Sequence, residues 1–164
     1  MSQNTQDPIR PTDDEARALA RHLLQQARFA ALAVTDPDTG MPYVSRVALG
    51  TSPAGQPLTL ISGLALHTRA LRANPACALL VGEPGDKGDA LAHPRLTVQA
   101  SATALPRNSP EHVEMAAHYL RDHPKSKLYL SLGDFGFTLF TPTRAYLNGG
   151  FGRAFILSPA DLGL

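Results

Sequence analysis

The chain has 164 residues, 43% of them apolar and 18% charged, a composition that excludes a disordered chain. Its 15 basic and 14 acidic side chains leave a net charge of +1, which gives no indication of nucleic-acid or membrane-surface binding. The N-terminus is not typical of a signal peptide, and no apolar stretch could span a bilayer, so we expect a cytosolic protein. We expect a flexible arm at residues 1–11 and one domain at residues 12–164.

The first predicted element is a helix over residues 12–28. Thr12 and Glu15 have the spacing of a capping box, and apolar residues follow at helical intervals. Arg17 and Arg21 of this helix are expected on a solvated face.

Short apolar runs bounded by turn residues then predict strands. The runs are FAALAVT, PYVSRVAL, LTLIS, ACALLV, RLTVQASATAL, FGFTLFTPTRAYLNG and GFGRAFIL. Helices are predicted at LHTRALRAN and after Ser109-Pro110, with a further turn or two from Lys127 to Leu132. Strands and helices alternate too irregularly for a doubly wound sheet, and the hairpins favour antiparallel pairing. We therefore predict an α+β fold, a small antiparallel barrel with covering helices.

The stretch LISGLALHTRALRANP contains several potential ligand-binding groups at a predicted strand-to-helix junction. If Ser62 ends the strand and the helix opens near His67, then His67, Thr68, Arg69 and the first backbone N–H groups converge on one small volume. A phosphate needs such a set, with a positive dipole end, backbone donors, a hydroxyl and a cation. The alternative is an ordinary helix N-terminus with a surface arginine.

Two strand positions carry polar side chains that a ligand could use. Arg46 lies in the middle of SRVAL, where burial would be costly unless an anion met it. Gln99, inside LTVQAS, could hydrogen-bond a heterocycle. The sequence does not distinguish these roles from outward-facing polar side chains.

Other chemistries find little support. The six histidines do not fall at metal spacing, so we expect no metal site. Cys77, the single cysteine, lies in the apolar run ACALLV and is expected to be a buried, structural strand residue. The glycine-rich turn Asn148–Arg153 is not a P-loop, because no Gly-Lys-Ser/Thr follows it. No catalytic residue can be named from these patterns.

The combination of segments is more specific than its parts. Arg46 on the second strand, LISGLALHTRAL after the third and Gln99 on a later strand are followed by RDHPKSKLY, GDFGFTLF and NGGFGRAF. This set resembles the pyridoxamine 5'-phosphate oxidase-like FMN-binding split-barrel family, in the branch that includes haem-utilisation proteins. The resemblance covers roughly residues 15–162. It implies a split β-barrel, an antiparallel, Greek-key-like six-stranded barrel with flanking helices.

The resemblance also implies a cofactor and the residues that hold it. By similarity, Ser62, His67, Thr68 and Arg69 contact the FMN phosphate and ribityl chain. Arg46 is a further phosphate cation, the Val47–Ala48 backbone lies along the isoalloxazine, and Gln99 matches a position that contacts the flavin. Because such sites lie at a dimer interface, a homodimer is implied.

Two departures from the family bear on the substrate. Pyridoxamine-phosphate oxidases have a basic residue a few positions after the strand-two arginine, where RVALG ends in Gly50, and they finish with an Arg/His-rich motif where this chain reads SPADLGL. Haem-degrading relatives use a C-terminal histidine as iron ligand, and no histidine follows His123. We expect an FMN-dependent oxidoreductase acting on an unidentified small molecule. The alternatives are a haem-binding or haem-degrading protein of the haem-utilisation type, and a non-catalytic flavin binder.

Overall fold

The computed structural model describes residues 8–164 as one α+β domain. Its strands are β1 (Ile9–Arg10), β2 (Phe29–Thr35), β3 (Pro42–Ala48), β4 (Gly50–Thr51), β5 (Pro57–Ser62), β6 (Ala76–Val81), β7 (Arg95–Ala104), β8 (Phe135–Asn148) and β9 (Ala154–Leu157). Its helices are α1 (Asp14–Gln26), α2 (Leu66–Ala73), α3 (Pro110–Asp122) and α4 (Lys127–Leu130). No helix within residues 8–164 is long and apolar enough to cross a membrane.

The six longer strands form the predicted split barrel. β2 pairs with β3 and β6, β6 with β7, β7 with β8, and β8 with β5, all antiparallel. β4 pairs with β5 and is separated from β3 in sequence by Leu49 alone. Among the described residues no strand pairing joins β3 to β4 or β5, so the sheet is not closed. The predicted α+β split barrel is thus confirmed, extended by the short strands β1, β4 and β9.

Alternating side chains of these strands fill the barrel and pack under α1. β2 buries every second residue, including Leu32 and Val34, which the period-two pattern of a strand requires. Opposite them, α1 contributes a buried stripe of small and branched side chains, Ala16, Ala20 and Leu24. A second apolar cluster joins β5 and β8 to α3, with Leu58, Leu60, Tyr119 and Phe137 at its centre.

Helix α1 begins one residue later than the capping pattern suggested. Asp13 is the N-cap and accepts from the Ala16 N–H at 2.8 Å. Thr12 instead donates its hydroxyl to the Ile156 carbonyl at 2.7 Å. Two neighbouring residues can both cap, and the tertiary bond to β9 decides between them.

The two arginines of α1 do not lie on a free solvated face. The Arg17 Nε is 2.7 Å from the Asp161 carboxylate, and the Arg21 Nε donates to the Asp161 carbonyl at 2.8 Å. Together with two hydrogen bonds from Ser158, Arg17 lowers the pKa of Asp161 to about 2. These contacts attach the C-terminal turn to the first helix.

The predicted flexible arm falls mostly on residues 1–7, which lie outside the described residues. Of its remainder, Ile9–Arg10 form β1, which runs parallel to β9. The glycine-rich turn between β8 and β9 lies nearby, with Gly150 and Gly152 at positive φ, and the Arg153 guanidinium is 2.9 Å from the Glu15 carboxylate. The turn therefore joins the last hairpin to α1.

Candidate functional site

Helix α2 starts without a side-chain cap. β5 ends at Ser62, the chain bends through Gly63, and the N-cap residue Ala65 has no side chain that could accept from the helix. The Ser62 carbonyl accepts from the Ala65 N–H at 3.2 Å and from the Thr68 hydroxyl at 2.6 Å. Because the first N–H groups of an α-helix have no intrahelical acceptor, this end of α2 keeps backbone donors for a ligand.

His67 lies half-buried at this junction, against β3. Its Nδ1 is 3.0 Å from the Ser45 hydroxyl, while its Nε2 is buried and has no hydrogen-bond partner. Burial lowers the pKa of His67, which favours the neutral ring. If the Ser45 hydroxyl donates to Nδ1, the hydrogen of the neutral ring is on Nε2, which then becomes an unused donor. Ser45 was not among the predicted residues, although its side of β3 follows from the alternation that buries Val47.

The other predicted phosphate contacts near α2 already have partners within the chain. The Ser62 hydroxyl donates to the Asp134 carboxylate at 2.5 Å. The Arg69 guanidinium forms a two-bond pair with Asp38, at 2.6 and 3.3 Å, in the turn between β2 and β3. A phosphate at the start of α2 would therefore compete with carboxylates for Ser62 and Arg69, whereas His67 has a free nitrogen.

Arg46 and its two successors on β3 face in different directions. The Arg46 side chain is exposed, with its guanidinium 5.4 Å from the centre of the Phe29 ring. Val47 points into the core and is 5% exposed. The Ala48 carbonyl accepts from the Thr59 hydroxyl at 2.6 Å, so part of this backbone already bonds within the barrel.

Gln99 shares the exposed outer face of the sheet with Arg46. The strand register joins the two positions across the sheet: Gln99 of β7 pairs with Ala78 of β6, which pairs with Ala33 of β2. Ala33 in turn pairs with Val44 of β3. Val44 lies two residues before Arg46, so both are on the same face. A β-bulge interrupts the β7–β8 pairing directly after Gln99, where the extra residue Thr143 donates to the Gln99 carbonyl at 3.2 Å. Pro142, which has no N–H for the ladder and lies next to the extra residue, was the signal for this bulge in the sequence.

The predicted residues thus form two groups within one chain. Ser62, His67 and Thr68 meet at the start of α2, with Arg69 directed to Asp38. Arg46 and Gln99 lie on the outer sheet face, across two intervening strands from each other.

Two further expectations concern Cys77 and metals. Cys77 lies in β6 as predicted, but is half-buried, with its Sγ 3.5 Å from the Ala100 carbonyl. Burial raises the pKa of this thiol to about 11, which makes it a poor nucleophile. Among residues 8–164, no three His, Cys, Asp or Glu side chains are grouped so that they could hold a metal ion.

Comparison with known proteins agrees with this fold. The pyridoxamine 5'-phosphate oxidase family matches residues 16–149, so the chain belongs to that family. The non-canonical heme oxygenase HOZ of Arabidopsis thaliana is 32% identical over 117 residues, 71% of this chain and 35% of HOZ. The chain therefore spans about a third of the length of this curated relative.

Two solved structures are also similar over most of the chain. The Agrobacterium tumefaciens protein Atu2129, of unknown function, is 35% identical, with a TM-score of 0.78, and the match covers 96% of this chain and 65% of Atu2129. A heme binding protein from Mycobacterium smegmatis is 25% identical, with a TM-score of 0.80 over 94% of this chain and 61% of its own. The names of two of these three relatives fit the haem-utilisation branch that the sequence resembles.

Proposed function

We propose that this protein is a cytosolic, homodimeric FMN-binding flavoprotein that acts as an oxidoreductase on a small molecule. The observation that carries the proposal is the uncapped start of α2 with the buried, unpartnered Nε2 of His67 beside it. Phosphate oxygens are acceptors only, so they suit a place where backbone N–H groups and a ring N–H lack acceptors. The residues at this end of α2 fit the phosphate of FMN.

The roles of the remaining residues follow from their places. His67 and Thr68 hold the phosphate end, Ser62 and Arg69 approach the ribityl chain and phosphate, and Ser45 keeps the His67 ring in position. Arg46 is a further phosphate cation, the Val47–Ala48 backbone lies along the isoalloxazine, and Gln99 serves the flavin side on the sheet face that a second copy would cover. When bound, FMN supplies the redox chemistry, while the chain binds and orients it and excludes water.

The exposed outer sheet face supports the homodimer. Val44, Leu80 and Ile156 lie on this face and are 61%, 45% and 38% exposed, and Phe29 is 39% exposed. Large side chains of this kind on an open sheet mark a surface for a partner. A second copy related by two-fold symmetry would bury them and bring Gln99 of one chain towards the flavin held by the other.

The test compares FMN with riboflavin, which lacks the phosphate. The wild type should bind FMN more tightly by one to two decades, since a charge-assisted contact contributes about 1.5–3 kcal/mol. His67→Ala, and separately the double variant Arg46→Ala with Arg69→Ala, should weaken FMN and leave riboflavin little changed. His118→Ala, on α3, is the matched control. Equal affinity of the wild type for FMN and riboflavin would overturn the phosphate site.

Haem is the second candidate ligand, favoured by the names of two similar proteins. Titration with haem should then give a saturable Soret band, and a biliverdin-like product under reductant would indicate haem degradation. Reduction of bound FMN by NADH or NADPH at rates typical of enzymatic turnover would instead favour the flavin oxidoreductase. A protein that binds FMN tightly but is not reduced would be a non-catalytic flavin binder.

A further inference from the structure

A cavity of about 440 Å³ opens between α2 and the ends of β5, β7 and β8. Its α2 wall consists of Thr68, Leu71 and Arg72, which share one face of the helix because they are spaced three and four residues apart. His67 is not part of this wall. The cavity therefore lies beside the predicted phosphate site and shares Thr68 with it.

Three small residues and Ile61 form the floor of this cavity. Gly136 and Thr138 of β8 lie on the same face of the sheet, with Ile61 of β5 paired to Gly136 and Ala104 of β7 paired to Thr138. A Cβ added at Gly136 would meet no atom within 4 Å. Such a floor suits a flat ring system, because no long side chain rises from it.

Apolar side chains and two arginines complete the lining. Leu64, Leu105 and Phe135 add apolar walls, and Leu64 is 87% exposed where the cavity meets solvent. Arg72 and Arg107 add two positive charges and Asp134 one negative charge, so the lining carries 2 − 1 = +1.

Neither arginine of the cavity is neutralised by a carboxylate within residues 8–164. Arg107 donates to the carbonyls of Leu130, Leu132 and Phe135 and holds the chain before β8 in place. Arg72 makes one long hydrogen bond, 3.4 Å, to the Gly63 carbonyl. The guanidinium of Arg72 therefore remains available to an anionic group.

We propose that this cavity binds a planar, mostly apolar molecule that carries one acidic group, with the ring system on the small-residue floor and the acidic group at Arg72. The assignment goes beyond the proposed function and does not depend on it, because none of Val47, Ala48 and Gln99 lines this cavity. A pocket with apolar walls and few converging polar groups is the usual form of a small-molecule site.

The probe is 1-anilinonaphthalene-8-sulfonate, a monoanion with a planar, apolar naphthalene ring system, whose fluorescence rises on binding. Full-length protein without added flavin should bind it in a saturable manner. Arg72→Gln should weaken the probe about tenfold or more, because a charge-assisted contact is lost. Arg121→Gln, an arginine of α3 outside the cavity, should bind it like the wild type.

A second pair of measurements tests the shape of the pocket. Gly136→Leu should fill the cavity and abolish binding of the anionic probe and of its neutral analogue N-phenyl-1-naphthylamine. Arg72→Gln should leave the neutral analogue unchanged. If Gly136→Leu lowers the melting temperature strongly, Ala104→Phe fills the same floor from β7.

Two outcomes would overturn the proposal: no saturable binding by the wild type, or wild-type affinity in Arg72→Gln and in the folded cavity-filling variant. FMN titrations of the same proteins separate this result from the proposed function. A wild type that fails to bind FMN but shows the predicted pattern with the probe contradicts the flavin proposal and leaves the cavity assignment in place.

Discussion

At the scale of single residues, His67 couples the candidate site to pH. Its pKa is lowered by burial, so the fold favours the neutral ring. The unfolded chain takes up a proton near the ordinary pKa of about 6.5, before the folded chain does. The stability that neutral His67 contributes is therefore complete above that pH and is lost as the pH falls below it.

His67→Gln should remove this dependence, because glutamine does not titrate. In urea titrations at pH 8 and pH 5, the free energy of unfolding of the wild type should fall relative to that of His67→Gln at the lower pH. A difference between the wild type and His67→Gln that is constant over this range would contradict the burial of His67.

Gly50 is required for packing rather than for a turn. A Cβ there would lie 2.7 Å from Cδ2 and 2.9 Å from Cε2 of Tyr119, whose ring is 1% exposed and stacks on His123. We expect Gly50→Ala to cost about 1–3 kcal/mol of stability, as overpacking of a core does. Gly136→Ala, the matched strand glycine with open space, should be neutral or stabilising in the same denaturant titration. Equal stability of the two variants would contradict the contact.

The same contact gives a physical reason for one departure from the family. Gly50 stands within the segment where pyridoxamine-phosphate oxidases carry a basic residue, and here Tyr119 and His123 fill the space above it. The His123 Nε2 is 2.8 Å from the Leu49 carbonyl, which holds the ring beside the residue between β3 and β4.

At the scale of elements, the C-terminal turn is attached to α1 through Asp161. The pKa of Asp161 is lowered to about 2, first by the Ser158 N–H, then by Arg17 and the Ser158 hydroxyl. A lowered carboxyl pKa contributes stability above the ordinary value of about 3.9 and loses it as the pH falls towards 2. Asp161→Asn should therefore have a lower melting temperature than the wild type at pH 7, and this difference should disappear between pH 4 and pH 2. A difference in melting temperature that does not change with pH would show that the charge of Asp161 does not contribute to stability.

Most elements could be predicted from the sequence because their signals are local. FAALAVT and ACALLV coincide with β2 and β6, since apolar runs bounded by turn residues define such strands. What could not be predicted depends on contacts distant in sequence, such as the Thr12 bond to Ile156 and the Arg17 pair with Asp161.

The candidate site likewise contains local features that the sequence predicts and long-range contacts that it does not. The strand, bend and helix around Ser62 and Thr68 are local and are where the sequence predicts them. The partner of Arg69, Asp38, lies 31 residues away, and the partner of His67, Ser45, lies 22 residues away. The alternating pattern of β3 alone did not show whether the Arg46 side chain faces the core or the outside of the sheet. The binding roles of these residues stay predictions until the flavin titrations are made.

At the scale of the whole molecule, the outer sheet face predicts the assembly. Sedimentation of the wild type should give twice the chain mass of 17.5 kDa. Leu80→Lys places a charge in the middle of this face and should give monomers, because an unpaired charge is costly to bury. Leu128→Lys, an exposed residue of α4, should stay dimeric. A wild-type monomer that still binds FMN tightly would contradict the shared site.

The order of strand pairings also determines when the sheet can be completed during synthesis. Leu58 of β5 pairs with Leu139 of β8, which the ribosome adds 139 − 58 = 81 residues later. At about 5–20 residues per second, β5 waits roughly 4–16 s for this neighbour. All but the last residue of β5 are buried in the finished fold, so an apolar edge stays open during that time. The nascent chain should therefore depend most on chaperones in this interval, and slower elongation should lower its soluble yield.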